Sequence, residues 1–446
     1  MFESVLVADR GEVARRVIRT VQRMGLRAVA VHSDADAAMP YLAEADEAVS
    51  IGSAPQLGYR DVDAVLEAAR QSRAHAIHPG RGVLATDPSF ARRVEAARLV
   101  WVGPPPDVID TMRDKIAARN AVEGAGLPVA RGTDSAPADL ASAVQAGREI
   151  GFPVMVKASA GYGADGMAVA DDEAALATAY EAVRAFADRA FGDPSVLLER
   201  YFPRVRHIEV QILGLPDGRI VVLGERDGSL RRHHRSLLLE APSPGVGPAL
   251  RERLAAAAVQ AGEAVAYRNA GTVDCLVDTE TGELVFLGMD TRLQAGHAVT
   301  EMVLGIDLVQ EQLLVAAGQP VTFDPDAVAP NGHALGLRVS AEDPQRLLPG
   351  SGKITGWQEP RGEGLRVDAG CAVGTKVTAD DPLLATLVVH GADRAQAVER
   401  AREAVAAFRV EGPPCNLPFL AELLEHPDLV SGAYDSGLVA RMRGLS

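Results

Sequence analysis

Along residues 1–113, short unbroken apolar runs alternate with amphipathic stretches. Ser4-Val5-Leu6-Val7-Ala8 reads as a strand, Glu12–Met24 as a helix with one apolar face, and Arg27–His32 as the next strand. Strands bridged by helices imply a parallel sheet with crossover connections. Arg10-Gly11-Glu12 opens the first helix, but it is no G-x-G-x-x-G, so the dinucleotide fingerprint is absent. Pro104-Pro105-Pro106 marks a turn-rich boundary and closes this first domain.

From about 130 to 203 the pattern predicts a smaller unit. It runs as strand Gly151–Ala158, a glycine-containing turn, helix Asp172–Ala190 and strand Ser195–Arg200. Residues 204 to about 330 carry strands at Ile208–Leu213 and Ile220–Leu223. A hairpin follows, Thr272–Leu276 and Leu284–Asp290, turning near Thr279–Gly282. Residues 331–446 form a mixed tail with a helix around Arg394–Phe408. There is no internal repeat, low-complexity segment or coiled coil.

The length of 446 residues is enough for two or three domains, each burying its own core. A net charge of −15 argues against a general nucleic-acid surface. Cys275, Cys371 and Cys415 are widely spaced, which disfavours a disulfide framework or structural zinc and fits a reducing cytoplasm. The N-terminus enters its first strand without a basic or long apolar segment, so no signal peptide and no membrane span are expected. The only lysines are Lys115, Lys157, Lys353 and Lys376; arginine supplies every other basic position. That bias singles out the lysines as places where a compact ammonium does what a planar guanidinium cannot, chance survival being the alternative.

A series of short motifs runs the length of the chain: Ala8-Asp9-Arg10-Gly11-Glu12-Val13-Ala14, Ala76-Ile77-His78-Pro79-Gly80, Met112-Arg113-Asp114-Lys115, Val156-Lys157-Ala158-Ser159 and Arg206-His207-Ile208-Glu209-Val210-Gln211. Gly224-Glu225-Arg226-Asp227, Leu287-Gly288-Met289-Asp290-Thr291-Arg292-Leu293-Gln294-Ala295-Gly296-His297 and Gly352-Lys353-Ile354-Thr355 complete it. In order and spacing they resemble biotin carboxylases essentially from end to end. The resemblance implies an α/β ATP-grasp fold with a Rossmann-like pre-ATP-grasp domain (1–113), an ATP-grasp domain (114–330, with a mobile lid at about 130–203) and a biotin-carboxylase-type C-terminal domain (331–446). It also implies ATP binding through Lys115, Lys157, Gly161, Gly163, Gly166, Met167, Glu199, His207, His234 and Leu276.

Three constellations carry chemistry. In the first, Lys115 and Lys157 join the turn Ala160–Gly166, where glycines let backbone N–H groups approach phosphates. The family's turn is richer in glycine, and Asp165 stands where an arginine is common. An ordinary surface hairpin is the alternative. The second is a metal platform: the family places Glu, Glu and Asn at positions matching Asp274, Gly288 and Asp290, and magnesium requires such hard oxygen ligands. Side chains alternate along a strand, so 288 and 290 share a face. Here Gly288 offers no ligand, leaving Asp274 and Asp290 as either a reorganised single-metal site or two surface aspartates.

The third is the bicarbonate pocket. Arg292 and Gln294 persist and are expected to hold an anion. Gly296 replaces the family's base, a glutamate, and loss of a positioned base costs about 10²–10⁴ in rate. In the basic run Arg231–Ser236, Ser236 replaces a catalytic lysine and Arg231 a glutamine; the run is either an anion site or a solvated loop. His233 and His234 are adjacent and do not converge on a metal. Arg81, Val83, Thr86 and Thr386 depart from the family pattern as well, whereas Arg338 matches the residue that stabilises the biotin enolate.

These departures point to a degenerate carboxylase homologue that binds ATP and Mg2+ and serves as a non-catalytic or regulatory subunit. The alternatives are an ATP-dependent ligase with another acceptor, or a biotin carboxylase with a substitute base. No lysine follows a methionine, so biotin is expected on another chain, with a separate biotin carrier or carboxyltransferase as partner. The family dimerises, but Arg19, Arg23 and Arg366 are expected to place like charges at that interface and to disfavour the usual homodimer.

Overall fold

The computed structural model describes residues 1–53, 58–160, 166–232 and 235–444. Its N-terminal part is a five-stranded parallel sheet ordered Glu47–Ser50, Arg27–His32, Ser4–Val7, Ala76–His78, Val100–Trp101. Val5, Leu6 and Val7 are wholly buried because helices cover both faces, as continuous apolar strands require. The strand order reverses between Ser4–Val7 and Ala76–His78, and the loops leaving these two strands meet there. Asp9 accepts the N–H groups of Arg10 (2.8 Å) and Arg81 (2.7 Å). Gly80 has φ +64°, and any Cβ on it would overlap the Asp9 side chain. This clamp fixes the backbone of Arg81, whose guanidinium pairs with Glu12 at 2.5 Å.

An eight-stranded antiparallel sheet forms the body. Its order is Leu284–Asp290, Asn269–Asp278, Val205–Gly214, Ile220–Arg232, Arg235–Ala241, His333–Ser340, Leu383–Gly391, Leu365–Ala369. The tail therefore shares a sheet with the segment before it, Leu238 pairing with Leu337. A separate three-stranded sheet, Met167–Ala170, Val154–Ala158 and Val196–Arg200, packs against helices Leu140–Ile150 and Glu173–Phe191 around its own core of Val156, Leu176, Tyr180 and Leu198. Both helices start on an aspartate cap, Asp139 to Ser142 N and Asp172 to Ala175 N, each at 2.8 Å.

Two expectations change. The strand placed at Ile220–Leu223 runs on to Arg232, because Gly224 (φ +78°) sits in an irregular stretch of pairing without ending the strand. Arg231 thus pairs with Ser236 and Arg232 with Arg235 in a ladder, so the described part of the basic run is not a solvated loop. The expected repulsion between Arg19, Arg23 and Arg366 also lacks its basis. Arg19 pairs with Glu44 at 2.8 Å, Arg23 with Asp307, and Arg366 with Glu301 and Asp368, both at 2.5 Å.

Candidate active site

Where the parallel sheet, the small sheet and the large sheet meet, a cavity of about 520 Å³ opens. Six arginines and two lysines line it against three carboxylates, Glu209, Asp274 and Asp290, among the described residues. In a chain of net charge −15 this is a concentrated positive field, suited to a polyanion.

Lys115 and Lys157 mark one end. Lys115 begins helix Lys115–Gly124, whose cap Asp114 accepts Ile116 N–H (2.8 Å) and the Ser159 hydroxyl (3.0 Å). Its ammonium donates to Ala158 O at 3.0 Å. Burial and the neighbouring Lys157 pull its pKa down to about 8. Lys157, on strand Val154–Ala158, is held by Glu199 on the adjacent strand. Met167 lines the cavity, whereas Glu199, Leu276 and Gly166 stand behind the wall; Leu276 pairs with His207 across the ladder. Gly166 is confined by its φ of +72° and by Phe186, 2.8 Å from where a Cβ would sit. Gly161, Gly163 and His234 lie outside the described residues.

His207 is buried, which lowers its pKa to about 3 and keeps it neutral. Arg231 donates to its Nδ1, so the proton sits on Nε2. Nε2 faces Asp274 Oδ1 at 3.6 Å, too far for a hydrogen bond. Ligand atoms of His207, Glu209 and Asp274 lie within 4.8 Å of one another. A protonated Nε2 is no metal ligand, however, and Glu209 is engaged by Arg226 at 2.7 Å.

Asp274 and Asp290 line the cavity and are not surface aspartates. Burial raises the Asp274 carboxyl to about 6 and also raises Asp290. Asp274 Oδ1 is buried without a hydrogen-bond partner, as an oxygen awaiting a cation would be. Asp290 accepts Arg292 Nε at 3.0 Å. Gly288 pairs directly with Asp274 in the ladder, and a Cβ there would meet nothing within 4 Å. Two carboxylates beside an open position fit one hard divalent ion with water completing its shell.

At the other end, Arg292 is turned toward Asp290 and the Arg81 backbone carbonyl, and the side-chain Oε1 of Gln294 accepts from Arg226. Both residues expected to hold an anion are thus already engaged within the protein. Arg226, wholly buried, also reaches Gln211 (2.9 Å), Thr272 (3.0 Å) and Thr300 (3.3 Å). Gly296 lies on top of it: a Cβ would come 2.8 Å from Arg226 Cδ and 2.9 Å from Leu239 Cδ2. The sequence displayed Arg226 inside a family motif, but nothing local marked it as the centre of this network. Arg81 and Arg235 were likewise not recognised as wall residues. Arg338 lines the cavity, its pKa lowered to about 10 by burial and by Arg81 and Arg235.

Residues 1–109 match the biotin carboxylase N-terminal domain, 114–323 the ATP-binding domain of the carbamoyl-phosphate synthase L chain, and 336–441 the biotin carboxylase C-terminal domain. A biotin carboxylase of Halalkalibacterium halodurans is 43% identical over 441 residues, 98% of this chain and 97% of that protein. The crystal structure of a Campylobacter jejuni biotin carboxylase–β-γ-ATP complex superimposes with a TM-score of 0.96 at 36% identity, covering 99% of both chains. The biotin carboxylase domain dimer of Hydrogenobacter thermophilus 2-oxoglutarate carboxylase, solved with MgADP, ADP and bicarbonate, gives 0.96 at 35% identity, covering 99% of this chain and 98% of that one. Fold and cavity together define an ATP-grasp protein. The chain belongs to the biotin carboxylase family. No helix among the described residues is long and apolar enough to cross a membrane.

Proposed function

We propose that this chain binds Mg-ATP but is severely impaired in bicarbonate-dependent biotin carboxylation. In this reading it acts as a non-catalytic or regulatory subunit in a cytoplasmic acyl-CoA carboxylase-type assembly. The observation that carries this is the contact of Gly296 with Arg226: the base position has no side chain, and the space for one is filled. Losing a general base lowers the rate by about 10²–10⁴.

Lys115, Lys157 and Met167 would receive the nucleotide, with the small unit at about 130–203 closing over it on its own core. Asp274 and Asp290 would hold Mg2+, which supplies neutralising charge for the phosphates. Arg292, tied to Asp290, positions that carboxylate instead of presenting itself to bicarbonate. Biotin would arrive on a separate carrier chain, and a carboxyltransferase would be the further partner. With Arg19, Arg23 and Arg366 paired internally, a homodimer meets no charge barrier from them.

A second reading, an ATP-dependent ligase with a different acceptor, is favoured by the cationic wall of Arg81, Arg235 and Arg338 where that acceptor would sit. A carboxylase with a substitute base finds less support. Of the carboxylates lining the cavity, Glu209 is engaged by Arg226 and Asp290 by Arg292, and Asp274 is the cation ligand.

The test is bicarbonate-dependent phosphate release from Mg-ATP with free biotin. Absence of turnover with retained nucleotide binding supports the proposal; clear biotin-dependent turnover sinks it.

A further inference from the structure

Behind the wall of the main cavity, between the first helix, Gly11–Arg23, and the loop that follows Arg292, lies a small space of about 10 Å³. That is room for one water molecule and little else. Arg81 and Ala295 line both this space and the main cavity. Glu12, Arg16, His297, Asp368 and Thr386 complete its polar wall. Three of these residues each keep one buried polar atom without a hydrogen-bond partner: Glu12 Oε1, Arg16 Nε and His297 Nε2. Such atoms are rare in folded proteins, and three around one small space share a cause.

Their chemistry fixes what can satisfy them. His297 is only 6% exposed, and burial lowers its pKa to about 4, so the ring is neutral. Its Nδ1 donates to the Gln294 backbone carbonyl at 2.8 Å, which leaves Nε2 as an acceptor. Glu12 Oε1 is an acceptor too; Arg81 lies 2.5 Å away, but without the alignment of a hydrogen bond. Arg16, 8% exposed, commits its terminal nitrogens to Thr20, Glu301 and Asp307, so its Nε–H is left as a donor. The surrounding charges cancel. Arg81 stands against Glu12, and Arg16, Arg23 and Arg366 are shared among Glu301, Asp307 and Asp368. A cation here would face Arg16 and Arg81, and an anion would face Glu12 and Asp368, with little solvent to screen either.

We propose that one resident water occupies this space, donating to His297 Nε2 and Glu12 Oε1 and accepting from Arg16 Nε. The neutral ligand follows from the balanced charges, and water has the two donors and one acceptor that the three atoms require; ammonium has no acceptor for Arg16. Bound there, the water ties the loop that carries Gln294 and Gly296 to the first helix, from the side of the His297 ring opposite its bond to Gln294. The site stands whether or not the chain carboxylates biotin.

The experiment is a crystal structure of the full chain at a resolution that shows ordered water. It is joined to deuteron magnetic relaxation dispersion, which counts long-lived internal waters in solution. A single oxygen within hydrogen-bond reach of all three atoms is expected. His297→Phe keeps a ring on this wall but removes the acceptor, so the density should vanish and the count of long-lived waters should fall by one. Soaks in rubidium and bromide, read by anomalous scattering, identify an ion if one sits there instead. A dry space, an ion at the site, or a water that stays fully occupied in His297→Phe would overturn the proposal. The native protein decides the first two outcomes by itself, so the test survives a variant that fails to fold.

Discussion

Gly296 and Arg226 occupy what is in effect one site: a Cβ on the glycine would lie 2.8 Å from Arg226 Cδ, and the arginine is fixed by five side-chain partners. Gly296→Glu is therefore expected to destabilise the protein by about 1–3 kcal/mol, the usual range for overpacking. It should leave bicarbonate-dependent turnover unrestored. Thermal unfolding and phosphate release check this together; a stable, active variant would show that Arg226 yields.

Gly288→Glu should behave in the opposite way. The position is open and lies directly across from Asp274, so a glutamate there supplies a third carboxylate ligand beside Asp274 and Asp290 without displacing anything. Stability should change by no more than about 0.5 kcal/mol. Mg2+ affinity in the presence of ADP should rise about tenfold. Titration with Mn2+ followed by paramagnetic relaxation reads this directly, and unchanged affinity would remove Asp274 from the cation site.

Nucleotide affinity should weaken as pH rises through about 8, because burial and Lys157 have already lowered the Lys115 ammonium to that value in the free protein. The sign follows from charge: above this pH Lys115 is neutral and attracts phosphate less. Lys115→Met should bind more weakly at pH 7 and show no such step. Fluorescence titration with a labelled ADP from pH 6.5 to 9.5 decides the point.

Acid stability should depend on Asp307. Burial pushes its carboxyl up, but Arg16 and Thr20 more than compensate and hold it down at about 2. A lowered folded-state pKa means stability that is fully present above the unfolded value, near 3.9, and is lost as pH falls toward 2. Discounted for its partial exposure, the contribution is about 1–2 kcal/mol. Asp307→Asn should thus unfold at lower temperature at pH 7, with the gap closing below about pH 3. A gap independent of pH would assign the effect to packing.

Much of the architecture is legible from local pattern. Strands Arg27–His32 and Leu284–Asp290 and the helix at Arg394–Ala407 follow periodicities carried by consecutive residues, and they form where those periodicities place them. The apolar run Ile220–Leu223 marks only the start of strand Ile220–Arg232, because the polar residues after Gly224 carry no strand periodicity of their own. In the sheet Gly224 is absorbed by an irregularity, and the basic residues beyond it become wall residues of the cavity. The pairing of Arg19, Arg23 and Arg366 was equally hidden, since partners such as Glu44, Glu301 and Asp307 come from distant segments.

The sequence by itself determined the family and which side chains the site lacks: a carboxylate at 288, a lysine at 236 and a base at 296. Those are statements about residue identity against an ordered set of motifs, and they need no coordinates. Only the tertiary structure decided what each loss means. Gly288 faces empty space, whereas Gly296 is sealed by Arg226, whose partners come from residues 209, 211, 272, 294 and 300. Burial of that guanidinium is a property of three strands, a loop and a helix brought together, and no local pattern of polar and apolar residues encodes it.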